Sequence, residues 1–150
     1  MSVSARLEQL GIKIPDVVPP VAAYVPAKRH GDVIYTAGQL PMASGQLMGT
    51  GKVGDQVSAE DAYRYARQCA VNAIAAAAAI AGGVDSLASV VRVTGFVASV
   101  PDFIGQPAVI NGASDVLGEI FGEPHARSAV GVSVLPLDSP VEVEVIFALA

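Results

Sequence analysis

The sequence predicts a mixed domain of strands and helices in the order β, α, β, α, β, β. Two segments repeat apolar residues every three or four positions, as helices do, and four others are rich in β-branched or aromatic residues. No linker, low-complexity stretch or internal repeat separates them, so residues 1–150 are expected to form a single domain with a short N-terminal extension over about residues 1–20.

In chain order, Ser2 to Leu10 can form a short helix with Val3, Leu7 and Leu10 on one side and Gly11 as its stop. Pro15, Pro19, Pro20 and Pro26 then force extended or turning chain. Asp32 to Gln39 reads as a strand, and Gly45, Gly49, Gly51 and Gly54 mark turns after it. Ser58 to Ala81 is the strongest helix: Ser58 with Asp61 three positions on resembles a capping box, and Gly82-Gly83 supply the stop. Ala62, Ala66, Cys69, Ala73, Ala77 and Ile80 make a narrow stripe of small side chains for the core, while Arg64, Arg67, Gln68 and Asn72 are expected to face solvent.

Ser89 to Val97 reads as a strand with Val91, Val93, Gly95 and Val97 on one face. A helix is expected over Ala108 to Phe121, packing through Val109, Ala113, Val116, Leu117 and Ile120. Ser128 to Leu135 and Val141 to Leu149 read as strands joined by the turn Pro136 to Pro140. In the last strand Val141, Val143, Val145 and Phe147 share a face, which puts Glu142 and Glu144 on the other.

Composition narrows the function classes. At 150 residues, 52% hydrophobic and 15% charged, with mean hydropathy +0.50, the chain has ample apolar surface to fold and few charges to cover it. That excess predicts association with further copies of the chain. Nine Lys plus Arg against fourteen Asp plus Glu give net charge −5, the wrong sign for phosphate neutralisation, so no nucleic-acid partner is expected. The lone Cys69 excludes an intrachain disulfide and a multi-cysteine zinc site, and His30 and His125 form no metal motif, so no metal is expected. Met1 to Leu10 lacks the pattern of a signal peptide, and Ala73 to Ala81 falls short of the ~20 apolar residues that span a bilayer. The expected address is the cytoplasm, with no membrane partner.

Among single residues, Arg127 stands at the mouth of a strand of Val, Ala and Gly. It is either a carboxylate clamp, whose planar fork matches two oxygens, or a surface Arg with an acid beside it. Glu142 is either a half-buried proton carrier or half of an exposed pair with Glu144. His125 is a titratable pocket candidate or a turn residue, and Cys69 reads as packing. Gly49 to Lys52 lacks phosphate-loop spacing, and no G-x-S-x-G or H-E-x-x-H occurs.

Ala126-Arg127-Ser128-Ala129-Val130, then Leu135-Pro136, then Val141-Glu142-Val143-Glu144-Val145-Ile146, resemble the C-terminal signature of the RidA/YjgF family, the reactive-intermediate enamine/imine deaminases, also labelled endoribonuclease L-PSP. Ile34 to Pro41 with Tyr24 before it, Ala66-Arg67-Gln68, Asn72, Val97 to Phe103 and Asn111 extend the likeness over Tyr24 to Leu149. The resemblance implies a chorismate-mutase-like α+β fold, a mixed sheet with two helices on one face, assembled as a homotrimer with three sites in the clefts between subunits. It implies that Arg127 binds the carboxylate of a 2-imino or 2-enamino acid and that Glu142 positions or activates water. Tyr24, Gly38, Ala129, Asn111 and His125 would line the site, and no cofactor is needed because an iminium carbon is already electrophilic. Ala129 stands where many deaminases of the family carry Cys, which keeps open a non-catalytic trimer that binds a small carboxylate metabolite. An endoribonuclease or translation inhibitor is the further alternative.

Overall fold

A computed structural model describes residues 1–17 and 22–150. Its elements are α1 (Val3–Leu10), β1 (Ala27–His30), β2 (Val33–Thr36), β3 (Met42–Ala43), β4 (Gln46–Leu47), α2 (Ala59–Ala81), β5 (Leu87–Ala98), α3 (Gln106–Phe121), β6 (Ala126–Val132) and β7 (Val141–Leu149). Five strands form one sheet in the order β1-β2-β7-β5-β6, in which only β5 and β6 run parallel, and β3 and β4 make a separate small hairpin. This is the chorismate-mutase-like α+β architecture: α2 and α3 pack against each other and cover one face of the mixed sheet.

The alternation in β7 builds that face. Val141, Val143, Val145 and Phe147 are buried beneath the helices, each large side chain contributing ~1.5–3 kcal/mol on burial. Small residues let the helices come close. Ala62, Ala66, Cys69, Ala73 and Ala77 of α2 are fully buried, and a Cβ added to Gly112 of α3 would lie 2.8 Å from the carbonyl carbon of Tyr63 on α2. Gly95 of β5 leaves room for Ile110, whose Cδ1 would be 2.5 Å from a Cβ there. The cap of α2 forms as the sequence predicts, with Ser58 Oγ accepting from the Asp61 N–H at 3.1 Å and Gly82 left-handed at φ 93°. The stripe ends sooner: Ile80 is 45% exposed and Ile74 is the buried isoleucine, because Ile80 lies in the last turn before the Gly82 cap. Asn72 is not solvated, since its Nδ2 donates to the carbonyls of Leu40 (3.0 Å) and Met42 (3.1 Å).

The strand predicted over Asp32 to Gln39 forms over Val33–Thr36 as β2, and it is the second arm of a hairpin whose first arm, β1, was not expected. The chain reverses at Gly31 (φ 61°), and β1, exposed at Lys28, Arg29 and His30, carries no apolar alternation to reveal it. A second hairpin turns at Ser44-Gly45, both at positive φ. β5 starts two residues earlier than expected and is irregular between Val90 and Arg92, which puts Val90 inside and leaves Val91 45% exposed. β6 runs Ala126–Val132 rather than Ser128 to Leu135, and α3 begins at Gln106.

α1 adds a third helix, capped by Ser2 and stopped by Gly11 at φ 68°. Leu7 is buried, and Asp85 accepts from the Ser4 N–H (2.8 Å) and Oγ (2.7 Å), tying the segment to the body. Pro19 and Pro20 lie outside the described residues.

Candidate functional site

Register fixes which face each candidate side chain takes. In β5, Val93 pairs with Arg127 on one side and Val145 on the other, whereas Phe96 pairs with Val130 and Glu142. Val93 and Phe96 are three residues apart in a regular stretch, so Arg127 shares the helix-covered face and Glu142 the open one.

Arg127 therefore meets α3. Its Nη1 donates to Ser114 Oγ at 3.1 Å and its Nη2 to the Pro107 carbonyl at 3.2 Å. Among the described residues no carboxylate pairs with this guanidinium. Ser114 Oγ also lies 3.0 Å from His125 Nε2. Arg127, Ser114 and His125 line a cleft of about 460 Å³, together with Asn111, Gly118, Gly122, Glu123 and Pro124. α3 presents Asn111, Ser114 and Gly118 along one side, and Gly122, left-handed at φ 76°, ends the helix so that the chain returns through Glu123-Pro124-His125 into β6. Burial, and secondarily the Arg127 charge, hold His125 below the usual histidine range. Sequence reasoning names Arg127, His125 and Asn111, which the fold brings together, and misses Ser114 and the Pro107 carbonyl. The signal for Ser114 was its spacing of three from Asn111 on the same helix.

Glu142 belongs to a different place. Tyr35 opposes Ile146 and Gln39 opposes Val143, so four steps of one strand face three of the other, and a bulge falls at Ala37-Gly38. Thr36 Oγ1 fills the gap by accepting from the Val145 N–H at 3.0 Å. The Glu142 carboxylate packs over Gly38, where an added Cβ would stand 2.7 Å from Glu142 Cδ. Half-burial, then the neighbouring Glu144, raises the Glu142 carboxyl above its ordinary range.

Tyr24 is 58% exposed in the segment before β1, the strand at the opposite end of the sheet from β6, which carries Arg127. Ala129 shares the Arg127 face and pairs with Gly95. One chain thus gathers Arg127, His125, Asn111 and Ala129 on one side of the sheet and Gly38 with Glu142 on the other. Among the described residues, no three His, Cys, Asp or Glu side chains cluster as metal ligands, and no helix is long and apolar enough to cross a membrane.

Comparison with known proteins agrees with this architecture. A 2-iminobutanoate/2-iminopropanoate deaminase of Dermatophagoides farinae is 31% identical over 140 residues, covering 92% of this chain and 94% of that protein. The crystal structure of Agrobacterium tumefaciens Atu1372, a protein of unknown function, superposes with a TM-score of 0.89 at 42% identity over 99% of this chain and 92% of that one. A structure described as a putative endoribonuclease from Shewanella oneidensis superposes with a TM-score of 0.94 at 30% identity over 99% of this chain and 100% of that one. The family model described as YjgF/chorismate mutase-like, putative endoribonuclease matches residues 4–149, and with the fold and the Arg127 to Glu142 segment in place, the chain belongs to that family.

Proposed function

We propose that the protein hydrolyses small 2-imino and 2-enamino acids to 2-oxo acids and ammonia, at clefts between the subunits of a homotrimer. One observation carries this reading. Arg127 is half-buried and held by two neutral oxygens, Ser114 Oγ and the Pro107 carbonyl, with no carboxylate partner among the described residues, as suits a guanidinium kept for an anionic ligand.

The substrate carboxylate seats on Arg127 of one subunit, while Glu142, Gly38 and Tyr24 come from the next. Two subunits are required because Arg127 and Glu142 project from opposite faces of their own sheet. The uncovered face carries Tyr35, Phe96, Val130 and Ile146, apolar surface that a neighbouring copy can bury. Water bonds to the imine carbon as Glu142 takes its proton and passes it to nitrogen. The C–N bond of the resulting carbinolamine then breaks, so imine plus water becomes 2-oxo acid plus ammonia. A carboxyl raised by burial suits this shuttling, and no cofactor is called for. The buried thiol of Cys69 suits a cytoplasmic setting.

The test is ammonia and 2-oxo acid release from freshly generated 2-iminobutanoate. Arg127→Ala is expected to lower kcat/KM about 100-fold, or ~2.7 kcal/mol of transition-state binding. Equal turnover by wild type and variant would refute the assignment. A second reading, carboxylate binding without turnover, is favoured by Ala129, which offers only backbone where a thiol would stand. Thermal stabilisation by 2-oxobutanoate, lost in Arg127→Ala and accompanied by no ammonia release, would select it.

A further inference from the structure

Arg127 can only donate hydrogen bonds, so in the Nη1 to Ser114 Oγ contact at 3.1 Å the serine oxygen is the acceptor. Ser114 retains one hydrogen, and His125 Nε2 lies beside it at 3.0 Å, able to accept that hydrogen when unprotonated or to donate when protonated. The serine oxygen can equally accept from an Nε2–H; where Ser114 donates to it, Nε2 carries no proton and the neutral ring holds its hydrogen on Nδ1. Nδ1 is buried and has no partner in the chain. In this state the Ser114 hydrogen is held away from anything bound at Arg127.

Protonating His125 reverses the contact. Nε2–H then donates to Ser114 Oγ, which accepts from both His125 and Arg127 and has its own hydrogen free. That hydrogen is then available to an anion seated on Arg127, which Ser114 Oγ already adjoins. The other charged group lining the cleft is Glu123; α3 contributes uncharged Asn111 and Ser114 there, while its Asp115 and Glu119 face Tyr63. Arg92 of the adjacent β5 is engaged by Ser128 on the open face.

We infer that His125 is a positioning residue for the Arg127 site: through Ser114 it determines whether a hydroxyl hydrogen is withheld from, or donated to, a carboxylate bound by the guanidinium. The inference rests on the reading of this cleft as a carboxylate site and adds a proton-dependent donor to it. Carboxylate affinity rises as the solution becomes more acidic, because the protonated site offers one more donor and one more positive charge.

Calorimetric titration with 2-oxobutanoate, whose carboxylate stays ionised throughout, tests this between pH 8 and pH 5. Wild type is expected to bind about tenfold more tightly at pH 5. His125→Gln, which cannot titrate, should vary less than about twofold, and Ser114→Ala should lose most of the gain. Glu123→Gln should keep it, excluding that carboxylate as the source. A pH-independent wild-type affinity, or a full tenfold gain in Ser114→Ala, would overturn the relay. Nitrogen NMR of the ligand-free protein at pH 8 judges it without any ligand: an Nδ1–H tautomer at His125 supports it and an Nε2–H tautomer overturns it. Absence of 2-oxobutanoate binding at every pH would instead contradict the carboxylate-site reading, leaving the tautomer to decide the relay.

Discussion

Gly38 and Glu142 share one space: the Glu142 carboxylate lies where a side chain on residue 38 would begin. The bulge that creates this arrangement is fixed from both sides, by Thr36 Oγ1 on the Val145 N–H and by Asn72 on the carbonyls of Leu40 and Met42. Gly38 does not have positive φ, so the need for glycine here is spatial rather than conformational.

Gly38→Ala should therefore fold, because the group in the way is the far end of a flexible side chain, and should turn the Glu142 carboxylate aside. The expected result is a fall of about tenfold in kcat, or ~1.4 kcal/mol, with little change in Tm. Steady-state kinetics beside a melting curve would check it, and unchanged kcat would remove Glu142 from the chemistry.

Glu142→Gln separates stability from activity. Burial and Glu144 raise the native carboxyl, so the unfolded chain releases this proton at lower pH than the folded one. The stability this group contributes is complete below the unfolded carboxyl range and is lost as pH rises through the raised native value. The variant should consequently melt higher than wild type at pH 7, converge with it near pH 4, and fail to release ammonia. Paired melting curves at the two pH values would decide; a variant that melts lower at pH 7 would contradict the sign.

Gly112→Ala tests the contact between α2 and α3. The added methyl meets the Tyr63 backbone, which cannot rotate away as a side chain can. The overpacking should cost ~1–3 kcal/mol. For a chain this long that lowers Tm by roughly 3–10 °C, readable by calorimetry.

Much of the fold was legible because it rests on periodicity. β7 alternates without interruption and α3 buries the five residues its pattern indicates. What escaped is what periodicity does not encode. β1 is an edge strand with three exposed polar residues, and the displacement of Val91 by Val90 comes with an irregular pairing between β5 and β7. The site divides in the same way. Arg127 and Glu142 were visible as charges among apolar neighbours. Their placement on opposite faces depends on a parallel β5–β6 pairing and an antiparallel β5–β7 pairing, long-range registers no local window contains. Ser114 carried only its spacing of three from Asn111, a signal that points nowhere until the partners His125 and Arg127 are known.

In the proposed trimer, where Arg127 of one subunit meets Glu142 of the next, two crippled chains should repair each other, since the two side chains are set on opposite sides of one sheet. Arg127→Ala and Glu142→Gln subunits should each be strongly impaired alone. In a ring of three where every cleft borrows from its neighbour, each hybrid trimer contains one cleft whose two contributors are both intact. Equal co-expression should restore about a quarter of wild-type turnover, since three of every four random trimers are hybrids with one working cleft in three. A double variant carrying both lesions in the same chain should give no such rescue when mixed with either single variant, the outcome expected where heredity of function belongs to the assembly rather than to any individual polypeptide.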